Sequence, residues 1–96
     1  MTTEVIERDK LAGPGGGIGG NCRVIVKNDD HNSFDHVANV LARYLPGVSV
    51  GDGFRLADTI HNSGLAIVWV GQREIAELYW QQLRDAGLTM APLEDG

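Results

Sequence analysis

The sequence has little of several features that define large classes of protein. A single cysteine, Cys22, excludes an internal disulfide and fits a reducing compartment. Basic residues are few: 8 Lys and Arg against 13 Asp and Glu give a net charge of −5, which argues against nucleic acid or an anionic membrane as the main partner. No apolar run approaches the length of a transmembrane helix, and the N-terminus carries no signal-peptide pattern. We therefore expect a cytoplasmic protein that binds neither nucleic acid nor membranes.

Glycine, by contrast, is abundant near the N-terminus, where residues 15–20 read GGGIGG. Gly15, Gly17 and Gly20 match the spacing G-x-G-x-x-G, but a phosphate-binding loop of that kind follows a buried strand and opens a helix. Here a polar segment precedes the glycines and a β-branched run follows them, so the order is reversed. We interpret residues 1–21 as a flexible Gly-rich extension and residues 22–96 as one small folded domain.

The hydrophobic pattern of that domain predicts three strands and three helices in the order β-α-α-β-α-β. Strands are expected at 22–27, 65–70 and 88–93, and the run LAIVWV at 65–70 is predicted as the central strand because it is apolar on both faces. Helices are expected at 34–45, from 50 to about 60, and from about 72 to 86. The pattern predicts an α+β two-layer sandwich, with three helices on one face of a small, mostly antiparallel, three-stranded sheet.

Polar side chains gather at two points of this scheme. Residues 28–32 read NDDHN at the end of the first strand, and His61 follows the second helix. If their strands are neighbours, the two segments meet at one edge of the sheet. Each also has a purely structural reading, since Asn and Asp favour turns and a histidine suits a helix C-terminus.

Three kinds of site fit these residues. A metal site would draw on typical ligands, although two of the histidines are five apart and do not share a helical face; the ligands are Asp29, Asp30, His31, His36 and His61. A hydrolase would need a nucleophile, but Cys22 is expected inside a strand and no serine occupies a nucleophile elbow. A cation site is the third reading: carboxylates, an amide oxygen and an imidazole beside an apolar stripe would hold an ammonium group.

Several ordered motifs carry a family resemblance across residues 22–94. The segment VIVKNDDHNSFDHV resembles the start of the ClpS adaptor family, and TIHNSGLAIVWV resembles its second signature. REIAE is similar to the opening of the family's third helix, and APLE to its end. The resemblance implies a protein that is not an enzyme and has no cofactor. It implies an adaptor that binds N-degron proteins beginning with Leu, Phe, Tyr or Trp and delivers them to a ClpA or ClpC unfoldase working with ClpP.

The resemblance also implies roles for individual residues. Asn28, Asp30 and His61 match positions that bind the substrate's α-amino group, with assistance from Asp29, and Asn32 matches a position near the substrate backbone where the family usually has Thr. The walls of the side-chain pocket are implied at Val26, Phe34, Val37, Ala57 and Ile60. Phe34 and Ala57 stand where Met is common, so we expect a pocket of altered shape and a narrowed preference, toward Leu.

The remaining implications concern delivery. The unfoldase is expected to dock on the third helix, where Glu74 matches a contact position and Tyr79 replaces a Lys at another. The N-terminal extension would engage the unfoldase, with GGGIGG as its tether, and the protein is expected to be a monomer. The alternative is an interaction module of similar fold, like the C-terminal domain of the ribosomal stalk protein, which has no need of amine ligands beside a pocket.

Overall fold

The structure is a computed structural model and describes residues 21–95 of the chain. Its elements follow one another as four strands and three helices: β1 (Asn21–Lys27), α1 (Phe34–Tyr44), α2 (Val50–Ser63), β2 (Leu65–Gln72), α3 (Arg73–Asp85), β3 (Thr89–Met90) and β4 (Glu94–Asp95). The proposed extension of residues 1–21 lies outside the described residues except for Asn21, which is the first residue of β1.

The helices begin and end at residues suited to those positions. Ser33 caps α1 by accepting a hydrogen bond from the His36 amide, and Ser49 and Asp52 form a reciprocal capping box at the start of α2. Helix α2 runs to Ser63, beyond the predicted end near residue 60, because the left-handed Gly64 (φ 92°) closes the last turn only there. His61 therefore lies within that last turn of α2.

The central strand is β1, and the prediction that residues 65–70 would be central is wrong. Strand β1 pairs antiparallel with β2 on one side and with the short strands β3 and β4 on the other. The runs at β1 and β2 are both apolar, so this pattern could not show which strand is central. In the structure, β1 is the more completely buried of the two. Cys22, Val24, Ile25 and Val26 are each at most 4% exposed, whereas Leu65 at the start of β2 is 48% exposed.

The C-terminal strand predicted at 88–93 is divided into two, which gives the sheet four strands instead of three. Between β3 and β4, Ala91 still donates its amide to the Ile25 carbonyl at 3.0 Å and accepts the Trp80 indole N–H at 2.7 Å. Pro92 has no amide hydrogen, so the ladder cannot continue through it. The two short strands result from this interruption.

One cluster of buried apolar side chains joins the sheet to all three helices. Alternate residues of β1 belong to this cluster, namely Cys22, Val24 and Val26. Each helix contributes buried residues to the same cluster, among them Leu41 of α1, Ile60 of α2 and Leu83 of α3. This arrangement confirms the α+β fold class predicted from the sequence. Among the helices of the described range, none has both the length and the apolar character needed to cross a bilayer.

Candidate functional site

The loop after β1 and the last turn of α2 meet at one end of the sheet. Lys27, the last residue of β1, pairs with Leu65, and the amide of Asn28 donates to the carbonyl of Gly64 at 2.9 Å. Gly64 in turn donates its amide to the Ile60 carbonyl at 2.9 Å, which ties it to the turn that carries His61. The two polar segments of the sequence therefore lie together at one edge, as their strand assignments suggested.

Three of the side chains brought to this edge are open acceptors. Asn28, Asp30 and His61 are all exposed, and none of their side chains makes a hydrogen bond to another residue of the range 21–95. An amide oxygen, a carboxylate and an imidazole can each accept a hydrogen bond from a ligand. The edge can therefore offer acceptors of three chemical types to a donor-rich cationic group.

Asp29 differs from these three because its carboxylate is already fully engaged. Oδ1 accepts the amides of His31 and Asn32, each at 2.8 Å, and Oδ2 accepts the Asn32 side-chain amide at 2.8 Å and the Thr89 hydroxyl at 2.6 Å. Burial raises the pKa of this carboxyl, but the hydrogen bonds, that of Thr89 foremost, outweigh it and lower the pKa to about 2. The geometry indicates that Asp29 stabilises the conformation of the loop. Its participation in binding an α-amino group stays a prediction.

Asn32 and His36 connect the same loop to the end of α3. The side-chain amide of Asn32 donates to the Gly87 carbonyl at 2.8 Å as well as to Asp29, so both of its N–H groups are in use. His36 Nε2 lies 2.9 Å from the Ala86 carbonyl and donates to it, since a carbonyl only accepts. Only the side-chain oxygen of Asn32 remains for the substrate-backbone role implied by the sequence.

The predicted pocket residues differ widely in exposure. Val26, Ala57 and Ile60 are at most 3% exposed, Val37 is half-buried, and Phe34 is 40% exposed at the first position of α1. Phe34 therefore offers the largest accessible apolar surface of the set.

Two further apolar residues, which the sequence reasoning did not assign to the predicted pocket, lie beside residues that it did assign. The Phe54 ring lies 5.7 Å from that of Phe34, centroid to centroid, with the planes tilted by 34°. Spacing of three residues puts Phe54 on the same face of α2 as Ala57, and this was the signal that could have identified it. Met90 pairs directly with Val26 in the ladder, which puts both side chains on one face of the sheet; only the β3 register shows this.

A separate groove of about 480 Å³ lies outside this set and shares no residue with the predicted pocket. It follows one side of α1 and reaches the start of α2, and its lining residues are His36, Asn39, Val40, Ala42, Arg43 and Val50. None of the three open acceptors lines it, so the polar edge and this groove are distinct surfaces.

The two predicted unfoldase contacts on α3 have different surroundings. Glu74 is exposed in the first turn, beside Ile75 (39% exposed) and Leu78 (50% exposed). Tyr79 is half-buried, and its ring meets that of Trp69 edge-on at 5.0 Å. The packing of Tyr79 thus explains its aromatic character without a partner, whereas the surface that includes Glu74 is open.

The chemistry of metal binding and nucleophilic catalysis has little support in the described part of the chain. Within residues 21–95, no group of three or more His, Cys, Asp or Glu side chains is arranged to hold a metal ion. Cys22 is 1% exposed, and its Sγ donates to Asp95 Oδ1 at 3.2 Å. Burial, and then this hydrogen bond, raise the pKa of the thiol, which disfavours the thiolate that a nucleophile needs.

Known proteins of similar sequence and structure identify the family of the chain. The family model for the ATP-dependent Clp protease adaptor protein ClpS matches residues 20–94. The ClpS adaptors of Synechocystis sp. and Nostoc sp. are 57% and 58% identical to the chain over 74 residues, which is 77% of this chain and 76% of each relative. The structure of Agrobacterium tumefaciens ClpS2 bound to L-phenylalaninamide is similar with a TM-score of 0.73 and 28% identity, covering 81% of this chain and 99% of that one. The chain therefore belongs to the ClpS family of Clp protease adaptor proteins.

Proposed function

We propose that this adaptor binds the free α-amino group and the bulky apolar first side chain of N-degron proteins and delivers them to the Clp protease. The observation that carries the proposal is the set of three exposed acceptors, Asn28, Asp30 and His61, at one edge of the sheet. The similar Agrobacterium protein is bound to L-phenylalaninamide, a molecule with a free α-amino group and an aromatic side chain. An adaptor of this kind recognises its cargo and leaves hydrolysis to the protease.

The polar edge suits a protonated amine in number and in chemistry. An ammonium group has three donors and no acceptor, and the edge offers an amide oxygen, a carboxylate and an imidazole nitrogen. The carboxylate of Asp30 gives the interaction a charge-assisted component. For His61 to accept, one of its ring nitrogens must be unprotonated. Acetylation of the amine removes its charge and two of its donors, so it should abolish this recognition.

The first side chain of the substrate would lie against the apolar residues that flank the edge. Phe34 and its partner Phe54 form an aromatic wall, and Val37 and Met90 are half-buried neighbours of the core. Ala57, a small and buried residue of α2 (3% exposed), stands where the family commonly has Met. We propose that this combination accepts Leu and the aromatic residues but narrows the choice among them, with Leu favoured.

Delivery would use a different face of the molecule. On α3, Glu74, Ile75 and Leu78 form an exposed apolar patch with one carboxylate, which suits docking to a ClpA-type or ClpC-type unfoldase. We propose that a monomeric adaptor acts there in the cytoplasm, in association with ClpP. We also propose that the N-terminal extension engages the unfoldase during handover, with GGGIGG at residues 15–20 as the tether between the extension and the domain.

Fluorescence anisotropy with labelled peptides tests amine recognition directly. Peptides beginning with Leu, Phe, Tyr, Trp, Met or Val would be compared with an N-acetylated Leu peptide. We expect binding of the Leu and aromatic peptides, loss of binding on acetylation, and weakening by about tenfold or more in His61→Ala, because hydrogen bonds to charged groups are strong. Equal binding of the free and acetylated Leu peptides would contradict amine recognition.

Asn62→Ala is the matched control for this experiment. It removes an exposed polar side chain from the neighbouring position of α2, and that side chain's hydrogen bond, to Asp58 at 3.0 Å, stays within the helix. We expect Asn62→Ala to bind as the wild type does. Equal weakening by Asn62→Ala and His61→Ala would indicate a general effect on the end of α2 and not a loss of amine contact.

A further inference from the structure

The loop of residues 28–32 is fastened to a part of the chain far away in sequence. The Thr89 hydroxyl donates to Asp29 Oδ2 at 2.6 Å across 60 residues, and Asn32 bridges the same carboxylate to the Gly87 carbonyl across 55. These contacts join the loop to the turn that follows α3 and to the start of β3. No residue of that turn belongs to the set of amine acceptors.

The position of Thr89 is fixed independently of the loop. Gly87 adopts a left-handed conformation (φ 103°) that turns the chain out of α3, and Leu88 donates its amide to the Leu83 carbonyl at 3.1 Å. Strand β3 then pairs with β1, with Thr89 opposite Lys27. Thr89 thus lies beside Lys27, the last residue of β1, which precedes Asp29 by two residues. The pairing of β3 with β1 holds Thr89 in this position.

Asp29 transmits this position to the loop backbone. Its Oδ1 accepts the amides of His31 and Asn32, so the chain turns around the carboxylate in the manner of an Asx turn. Asp30 lies inside that turn and Asn28 immediately precedes it. A shift of the Asp29 carboxylate would therefore displace two of the three open acceptors at once.

We propose that Thr89 is a positioning residue of the amine site: its hydroxyl holds Asp29, and Asp29 holds the loop that carries Asn28 and Asp30. The proposal rests on the proposed function, since it concerns the same amine site. Asn32 is the second fastening of the loop, through Gly87. The Thr89 hydroxyl donates its hydrogen bond to the Asp29 carboxylate, so we infer that Thr89 contributes by fixing the acceptors before the ligand arrives.

The test compares two substitutions at Thr89 that differ in the hydroxyl. Thr89→Val keeps the shape and removes the donor, whereas Thr89→Ser keeps the donor. We expect Thr89→Val to weaken binding of a labelled Leu peptide about five- to tenfold, because the hydrogen bond lost is one to a charged group, and Thr89→Ser to restore most of the affinity. Amide hydrogen exchange of His31 and Asn32, followed by NMR in the free protein, should quicken in Thr89→Val and recover in Thr89→Ser.

Thr59→Val is the matched control. Thr59 is also half-buried, and its hydroxyl donates to the Arg55 carbonyl at 3.1 Å within α2, away from the loop. We expect Thr59→Val to change neither the affinity nor the exchange of the loop amides. Urea unfolding of each variant identifies any that is poorly folded. If Thr89→Val is poorly folded, Thr89→Ser is compared with the wild type instead: near-wild-type affinity and loop exchange support the positioning role, and weakened binding with faster exchange contradicts it.

The outcomes separate this proposal from the one on which it rests. Wild-type affinity of Thr89→Val, or equal weakening by Thr89→Val and Thr89→Ser, would overturn the positioning role while leaving amine recognition intact. Failure of the wild type itself to distinguish free from acetylated peptide would overturn the proposed function and the positioning role with it. Faster exchange of the loop amides in Thr89→Val without a change in affinity would show that the Thr89–Asp29 hydrogen bond stabilises the loop but does not contribute to binding.

Discussion

Asp29 and Asp30 are adjacent carboxylates, but their surroundings differ and give them different roles in the site. Asp29 accepts four hydrogen bonds from its own chain, while Asp30 is exposed and makes none with the described residues. One shapes the loop and the other is available to a ligand. Substitution of the two residues should therefore affect different measurements.

The low pKa of Asp29 predicts a specific dependence of stability on pH. Because the folded-state pKa, about 2, lies below the unfolded value of 3.8, this carboxylate stabilises the fold above about pH 4, and the contribution disappears as pH falls through about 2. We expect Asp29→Asn to lower the free energy of unfolding by about 1–2 kcal/mol near neutral pH. Urea unfolding over this pH range should show the difference between variant and wild type shrinking as pH falls.

Asp30→Asn is the control for that measurement. Its side chain makes no hydrogen bond that the substitution would break, so the free energy of unfolding should stay within about 0.5 kcal/mol of the wild type at every pH. Its peptide affinity, in contrast, should fall, since the amide removes the negative charge. A pH-independent effect of Asp29→Asn would mean that the carboxylate's charge is not what stabilises the loop.

The aromatic pair of Phe34 and Phe54 predicts a change in selectivity. Phe54 packs against the exposed Phe34 ring, so Phe54→Ala should leave that ring free to move and should widen the predicted pocket. We expect affinity for a Trp peptide to rise relative to a Leu peptide by about two- to tenfold, which corresponds to the usual energy of an aromatic pair. Competition between the two peptides measures the ratio, and an unchanged ratio would exclude Phe54 from the choice of substrate.

Residue types alone indicated only that a cation site could lie where residues 28–32 and His61 meet, and the family resemblance singled out Asn28, Asp30 and His61. They could not reveal Thr89, which approaches Asp29 only through the pairing of β3 with β1. The substrate-backbone role of Asn32 was implied by the resemblance and stays a prediction, but nothing in the sequence shows that the Gly87 carbonyl lies within reach of its side-chain amide. Contacts across more than 50 residues depend on the tertiary fold, which local patterns do not contain.

Helices α1 and α2 approach each other closely at one glycine. A Cβ added at Gly53 would lie 2.3 Å from the backbone carbonyl oxygen of Ala38, and backbone atoms cannot move aside as a flexible side chain can. From sequence, Gly53 only weakens a helix; in the structure it permits the contact of α2 with α1. This contact brings together the elements that carry Phe34 and Phe54.

We therefore expect opposite results from two alanine substitutions in the first turn of α2. Gly53→Ala should lower the free energy of unfolding by about 1–3 kcal/mol, because overpacking outweighs the gain in helix propensity. Gly51→Ala should raise it by about 0.5–1 kcal/mol, since its Cβ would meet only the Ser49 hydroxyl at an ordinary 3.8 Å. Thermal or urea unfolding measures both, and a stabilised Gly53→Ala would show that the helices can separate at little cost.

Among the elements, the helices were easier to predict than the sheet. Each helix has an apolar stripe with a terminating glycine close behind, at Gly47, Gly64 and Gly87, and these local signals gave its type and place. Strand order has no such signal: the runs at β1 and β2 are both apolar, and the central place of β1 depends on β3 and β4 returning to it. Pro92 did mark the weak point of the last strand, which splits there.

In the whole molecule, β1 is the element on which the others depend. It pairs with every other strand of the described sheet, and its end leads directly into the amine loop. The site consequently draws on residues from 26 to 90, almost the full described range. Peptide binding at the site should therefore require the whole domain to be folded. Any fragment that lacks β3 should lose the hydrogen bond from Thr89 that fastens the loop.

The buried thiol of Cys22 gives this molecule a built-in reporter. It is the only sulfhydryl of the chain, and the pairing of β4 with β1 brings Asp95 over it. A thiol-reactive dye should therefore attach only when the packing around Cys22, including the pairing with β4, opens, so the labelling rate would time that opening. A cysteine introduced on the exposed face of α3 would, in the folded state, take up the dye alone, which permits single-site fluorescence studies of docking without first removing the native residue.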